Sequence, residues 1–414
     1  MTTLTVGELA DRAQRVAEFD GEDVRESVEQ FGEPELRQLL DRREMVNTLI
    51  GHVRKLQDDM NGELVDRREA IEMALACLLA HVNMVFLGPP GTAKSLVVRR
   101  LSYGLGLQSR PTTIGKLKQE MVRLLQTTEE EKRAAGAGGA AAARGAGSSE
   151  AVAGAVEGTR GYYEVLLTRY STSDEILGPA NLQLMIRRAM FYRQTAGLLP
   201  EAEVAFLDEI WKANSAILNA LLSISNEKLF YNAGQPVRVP LCMIYGASNE
   251  VPREEELWAM YDRFPIRVIC QPVDNSRELL KKAGEFAYRS LFPTAGDSQG
   301  DGKAGVRRAT VNHFRLLHRA LYVVFGAESR PDGNSPFSRA FCDTFDLLKR
   351  EFQISDRSLH TLYRVALALA LLRGHGRPQP TELAVFKYCF YEQETSAALR
   401  DAVDGRIRHY GSFA

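Results

Sequence analysis

No stretch of the 414-residue sequence reaches about 18 consecutive apolar residues, so no segment reads as a membrane-spanning helix. Net charge is nearly absent as well, with 52 Lys and Arg against 53 Asp and Glu. No whole-molecule field therefore draws the chain to nucleic acid or an anionic membrane, and nucleic acid is not the expected partner; a local basic patch is still open. Cysteine is sparse: Cys77, Cys242, Cys270, Cys342 and Cys389 lie far apart with no CxxC spacing. They read as reduced core thiols rather than as metal ligands. The histidines form no HExxH or other ligand cluster, and the GDSQGDG loop at 296–302 lacks the closing Glu of a calcium loop. The opening run MTTLTVGELADRAQRVAEFD carries acids early and has no apolar secretory core, which sets the expectation of a cytoplasmic protein.

What the sequence does have is alternation. From 63 to 276, short apolar runs recur between amphipathic stretches, at Val82–Leu87, Tyr163–Leu167, Val204–Leu207, Leu241–Tyr245 and Ile266–Cys270. Runs apolar on both faces suit a parallel sheet covered by helices on each side, an α/β core. Residues 1–62 are polar, with Leu36, Leu39, Leu40, Met45, Leu49 and Ile50 at helical spacing, and read as an N-terminal helical extension or docking arm. Residues 277–414 lose the strand signal and read as a helical lid domain. One helix there is well marked: Ser355 can cap it, Leu359, Leu362, Tyr363, Ala366 and Leu369 form one stripe, and Gly374 follows its end. The last clear helix runs near Glu382 to Val403. Between 110 and 160 the alternation breaks, first with a charged helix-like piece and then with an Ala/Gly-rich run. The second piece lacks the large apolar groups that offset ordering entropy and is expected to be a mobile loop.

The chemistry begins at HVNMVFLGPPGTAKS, residues 81–95, where an apolar strand runs into a small-residue turn. A polyphosphate is held by backbone N–H groups pointing inward at a helix N-terminus, and Gly88, Pro89, Pro90, Gly91, Thr92 and Ala93 can make that turn. Lys94 then reaches the outer phosphates of ATP as a point charge, the Ser95 hydroxyl ligates Mg²⁺, and Leu96 completes the binding segment. Ala93 stands where the strict pattern has glycine. Alanine does not readily take a positive φ, so the loop is expected to enter its helix in regular geometry. A chance glycine-rich turn before a helix is the alternative, weakened by the strand that precedes it.

In VAFLDEI a buried strand ends at the carboxyl edge of the sheet, where Asp208 suits Mg²⁺ and Glu209 suits orienting the attacking water. Taken alone, two acids after an apolar run equally fit a capped helix start. In IYGASNEVP a strand ends at Asn249, whose donor and acceptor can bridge a γ-phosphate and water, though a strand-end Asn alone is ordinary turn chemistry. Arg263 in MYDRFPIRV and Arg357 in the first turn of the helix capped by Ser355 complete the set. The helix dipole opposes a cation at Arg357, which makes sense beside an anion; a solvated surface arginine is the alternative for both.

Together GPPGTAKS, LLTRYSTSDEILGP, AFLDEIWKANSAILNALLSISNEKLFYNAG, ASNEVP, MYDRF and ISDRS resemble the MoxR branch of AAA+ ATPases over about residues 60–400, with DEIWKA nearest to RavA-type members. The resemblance implies a P-loop αβα core with a parallel sheet, an all-helical lid and a homo-oligomeric ring, usually a hexamer. It implies that Lys94 binds phosphate, Ser95 and Asp208 bind Mg²⁺, Glu209 activates water and Asn249 senses the γ-phosphate. Arg263 matches the arginine finger offered to a neighbouring subunit, and Arg357 matches the lid arginine called sensor 2. The segment EILGPANLQLMIRRAMFYRQTAGLLPEAE looks like the family's pore-facing insert, whose Arg187, Arg188, Phe191, Tyr192 and Arg193 either grip a client or pack a hairpin. The implied function is remodelling or maturation of a protein partner by Mg-ATP hydrolysis, often a partner with a von Willebrand factor A domain. Two rivals stay open: a nucleotide-gated scaffold with little turnover, and a DNA-remodelling ATPase. The Ala/Gly-rich insertion is not a feature of the family pattern.

Overall fold

The computed structural model of the chain describes residues 43–107, 161–252, 254–282, 309–325, 334–352 and 354–411. The 110–160 insertion, and the part of the N-terminal extension before residue 43, lie outside them. The strands are β1 (Met84–Leu87), β2 (Tyr162–Leu166), β3 (Val204–Asp208), β4 (Leu229–Asn232), β5 (Gln235–Arg238), β6 (Met243–Ser248) and β7 (Ile266–Ile269). Five of them form a sheet in the order β2-β3-β6-β1-β7, every neighbouring pair parallel. β1 and β6 are buried at every position, because helices cover both faces of the central strands, and this is why they read as unbroken apolar runs. β4 and β5 make a separate antiparallel hairpin. Its turn carries two left-handed residues, Ala233 at φ 51° and Gly234 at φ 77°.

The helices are α1 (Arg43–Glu63), α2 (Arg68–Ala80), α3 (Lys94–Gly104), α4 (Ser173–Leu177), α5 (Leu182–Arg188), α6 (Ser215–Glu227), α7 (Glu255–Tyr261), α8 (Val311–Val324), α9 (Pro336–Phe352), α10 (Ser358–Arg373) and α11 (Ser396–Tyr410). α2 is apolar nearly all round, because it lies between the sheet and the C-terminal helices α8 and α10. α1 turns Val46, Leu49, Ile50, Val53, Leu56 and Met60 inward against α2, α3, α8 and α10. One continuous hydrophobic core thus runs from the sheet through α1 and α2 into the C-terminal helices.

Three local expectations differ from the structure. Ser355 does not cap α10. The helix begins at Ser358 with Arg357 in the N-cap position and no side-chain cap, while the Ser355 hydroxyl turns to Asp262 Oδ2, 3.3 Å away. α10 is also not apolar along one stripe, for Leu362, Tyr363 and every residue from Val365 to Leu372 are buried. Third, the helix expected over Glu382–Val403 is divided into a 3₁₀ helix, Pro380–Tyr388, a short 3₁₀ turn, Gln393–Thr395, and α11. Between the first two the carbonyls of Cys389, Phe390 and Tyr391 accept hydrogen bonds from Arg267 and Tyr261, which takes them out of any helical ladder. Gly374 ends α10 in the left-handed conformation, as its position after the apolar run suggests.

Candidate nucleotide site

β1 delivers the chain to the loop Gly88–Ala93, and α3 leaves it at Lys94. Gly88 sits at φ 143°, and a Cβ there would overlap the backbone carbonyl of Cys270. Gly91 is at φ 83°. The expectation of regular geometry at Ala93 is overturned: it adopts φ 62°, ψ 23°, a left-handed conformation that a side chain makes costly. Contacts on both sides of the turn hold it there. Thr92 Oγ1 donates to the Pro89 carbonyl at 2.8 Å, and the buried Arg67 donates from Nε to the Thr92 carbonyl at 3.0 Å. Arg67 also donates to the carbonyls of Asp66 (2.7 Å) and Gln271 (2.6 Å), tying the loop to the chain that follows β7. Among the described residues, the N–H groups of Gly91, Thr92 and Ala93 have no backbone acceptor, as an anion-binding loop requires.

Register brings the chemistry to this loop. Leu87 pairs with Ser248, so Asn249 at the end of β6 stands beside the turn, and β3 on the far side of β6 ends at Asp208. Lys94 Nζ donates to the Gly88 carbonyl (2.5 Å), the Pro89 carbonyl (3.0 Å) and Asn249 Oδ1 (3.0 Å). Asn249 Nδ2 donates to Glu209 Oε1 at 2.7 Å, and Lys212 Nζ lies 3.3 Å from Glu209 Oε2. Glu209 itself is left-handed at φ 53°, and its N–H donates to Asp208 Oδ1 at 3.0 Å. Burial lowers the Lys94 ammonium pKa, with Asp208 the first of the charges opposing that shift. Burial likewise raises the Asp208 carboxyl, and the neighbouring Glu209 charge adds to it. A cation at this carboxylate would offset the cost of its partial desolvation. Among the described residues no cluster of three or more His, Cys, Asp or Glu forms a protein-only cage. The donor set fits Mg²⁺, which keeps waters and takes one or two protein oxygens together with substrate phosphates. Ser95 is half-buried and the Leu96 side chain is 42% exposed.

Arg263 and Arg357 are brought to each other, not to Lys94. Arg263 Nη1 donates to the Ala259 carbonyl at 2.5 Å. Burial lowers its pKa, and the positive charge of Arg357 lowers it further. Arg357, 60% exposed, lies 3.8 Å from Asp262 Oδ2. Asp262 also accepts the Tyr391 hydroxyl at 2.8 Å. Among the described residues neither arginine has a hydrogen bond or ion pair to Lys94, Asp208, Glu209 or Asn249.

The segment after α4 is a protrusion, closed by a bridge between Ala180 and Arg193. Leu182, Met185, Ile186, Met190, Phe191 and Tyr192 are exposed on it, so Phe191 and Tyr192 do not form a buried hairpin core. Arg193 points inward to Asp174 Oδ1 and the Gly178 carbonyl, both at 2.6 Å. Its backbone pairs with the Asn232 side chain on the β4–β5 hairpin. Sequence reasoning missed that hairpin, although the alternating LFYN, a two-residue Ala-Gly turn and QPVR carry its signal. It also missed Arg67 and Arg267, buried arginines whose partners are backbone carbonyls. Nothing local in a sequence marks those.

Comparison with known proteins agrees with this geometry. The profile of the MoxR domain in the MoxR-vWA-beta-propeller ternary systems matches residues 51–117 and 114–289, more than half of the chain. Two uncharacterized proteins of Methanocaldococcus jannaschii are 34% identical over 236 residues (57% of this chain, 48% of the relative) and 35% identical over 241 residues (58% and 50%). A structural protein of Acidianus two-tailed virus is 32% identical over 237 residues, 52% of this chain and 37% of its own. The chain thus spans about half or less of the length of these curated relatives. A crystal structure of a candidate ATPase from Cytophaga hutchinsonii superposes with a TM-score of 0.56 at 14% identity, covering 91% of this chain and 99% of that one, a likeness of fold. No helix among the described residues is long and apolar enough to cross a membrane. Strand order, phosphate loop, acidic strand end and family profile agree: the chain belongs to the MoxR family of AAA+ ATPases.

Proposed function

We propose that the chain works as a ring, most simply a hexamer, that hydrolyses Mg-ATP to remodel or mature a protein partner carrying a von Willebrand factor A domain. The observation that carries this reading is the continuous path from Lys94 through Asn249 to Glu209. It joins a phosphate-binding cation to a general base through a side chain able to report the γ-phosphate. Lys94 and the loop N–H groups bind the phosphates. Ser95 and Asp208 would hold Mg²⁺, which when bound would supply charge neutralisation at the phosphates. Glu209, released from Asn249, orients water and takes its proton. The separation of Arg263 and Arg357 from this path supports an assembly in which a second copy completes the site. The family is described from MoxR-vWA-beta-propeller ternary systems, which supports a vWA partner, and the exposed apolar segment around Ile186 and Phe191 would offer such a partner a surface. The DEIWKA run supports a RavA-type likeness. A cytoplasmic location accords with a nucleotide-driven machine, and a domain limit near 276 fits the change from sheet to helices after β7.

The test is Glu209→Gln in the full chain, assayed for nucleotide binding, turnover and partner retention. The expected result is retained ATP affinity, a loss of about 10²-fold or more in turnover and prolonged capture of the partner. Wild-type specific activity should rise with protein concentration as rings form, because a neighbour's arginine is worth about 10³ to 10⁵ in rate. Full partner function in the Gln variant would favour a nucleotide-gated scaffold instead, and DNA-stimulated, salt-sensitive hydrolysis would favour a DNA remodeller.

A further inference from the structure

Arg267, in β7, is 2% exposed, and none of its partners is a carboxylate. Its Nη1 donates to the carbonyls of Cys389 (3.2 Å) and Phe390 (2.9 Å), and its Nη2 to the carbonyl of Tyr261 (3.1 Å). The guanidinium lies over two rings, 3.9 Å from the centre of Tyr261 and 4.9 Å from that of Tyr391. One side chain therefore ties an edge strand of the five-stranded sheet to the turn bearing Arg263 and to the segment between the 3₁₀ helix and α11. Trp211, two residues beyond Glu209, also packs edge-on against that turn, at 5.5 Å from Tyr261 and 5.9 Å from Phe264. Among the described residues the indole Nε1 is buried without a partner. The turn is thus gripped by an aromatic from the glutamate's own loop and by a buried cation. An apolar side chain of similar length would fill this space without desolvating a charge, so stability alone does not call for arginine here. What arginine adds is direction: a planar fork fixes three carbonyls in one geometry.

We propose that Arg267 is a positioning residue that locks the turn Tyr261–Phe264 to the segment Cys389–Tyr391, and so sets where Arg263 is offered to a second copy. The inference rests on the reading of Arg263 as a group acting across an interface. Arg267 touches no reacting atom. It acts through Arg263.

The experiment uses the full-length chain carrying Arg267→Met. It should melt within a few degrees of the wild type and bind nucleotide with unchanged affinity, while turnover falls about 10²-fold, the penalty of misplacing a catalytic group by about 1 Å. In the nucleotide-free protein, amide exchange at 261–264 and 389–391 should quicken together. Mixed 1:1 with Glu209→Gln, the variant should regain about a quarter of wild-type turnover, since random head-to-tail assembly places an intact Glu209 beside an intact Arg263 at that frequency. The reference mixture is Arg263→Ala with Glu209→Gln. If that mixture recovers and the Arg267→Met mixture does not, the defect lies in the variant's own site and the proposal fails. If neither recovers, the reading of Arg263 fails with it. Unlinked or unchanged exchange at the two segments overturns the lock whatever the mixtures do. Should Arg267→Met not fold, Tyr391→Leu at a half-buried position removes one ring and the Asp262 contact, and must give the same linked exchange and the same rescue.

Discussion

Replacing Ala93 by glycine should stabilise the protein, although glycine inside a helix ordinarily does the reverse. Ala93 holds φ 62°, ψ 23°. A left-handed conformation costs a residue with a Cβ about 1–2 kcal/mol, which glycine does not incur. Against this, glycine gives the unfolded chain extra freedom worth about 0.4–1 kcal/mol. The difference is a gain of about 0.5–1 kcal/mol for Ala93→Gly. Had Ala93 been helical, the same change would cost about 1 kcal/mol, so the two geometries predict opposite signs. In thermal unfolding of the nucleotide-free protein the gain should appear as a rise of about 2 °C. Ala93→Val should move the midpoint the other way, because a branched Cβ crowds the left-handed backbone further. A fall in midpoint for Ala93→Gly would refute the assigned geometry and the account of the loop built on it.

Gly88→Ala should destabilise the loop by about 1–3 kcal/mol and abolish measurable nucleotide binding by calorimetry. The added Cβ meets the Cys270 carbonyl, and Cys270 is held in turn by its N–H bond to the Leu87 carbonyl at 2.7 Å. His318 is half-buried and stacked on His81 at 4.1 Å between ring centres, and loss of solvent around its ring pushes its pKa down to about 3. Its folded pKa lies below the ordinary value near 6.5, so the unfolded chain binds more protons between those limits and stability falls with pH. Its share of the loss between pH 7 and pH 5 is on the order of 2 kcal/mol, and urea titrations of His318→Gln should show a slope reduced by that amount.

The strands were legible because they are buried on both faces, so β1, β3 and β6 announce themselves without help from their neighbours. Lys94, Asp208, Glu209 and Asn249 could be picked out because each closes or follows such a strand. The structure brings Lys94, Asn249 and Glu209 into one path and sets Asp208 beside it. What escaped depends on contacts remote in sequence. Ser355 has the chemistry of a helix cap, yet Asp262, 93 residues away, takes its hydroxyl. The φ of Ala93 follows from Arg67 and Thr92 gripping the turn, not from alanine's own preference. Glu382–Val403 reads as one helix, but Arg267 draws its middle carbonyls away. A periodicity argument sees side chains on one element and cannot see a carbonyl claimed by another.

The joint at Leu107 and Gly161 has a practical consequence. A Cβ on Gly161 would come within 3.0 Å of Leu107 Cδ2, so the chain resumes where it left off. The point of departure and the point of return are thus neighbours in space. Leu107 follows α3 and Gly161 precedes β2, an edge strand separated from β1 by β3 and β6. Closing a loop costs only about 0.6 kcal/mol more for each doubling of its length. Two ends that already meet, at an edge remote from the phosphate loop, thus give an engineer a joint at which to splice in a reporter at small entropic cost.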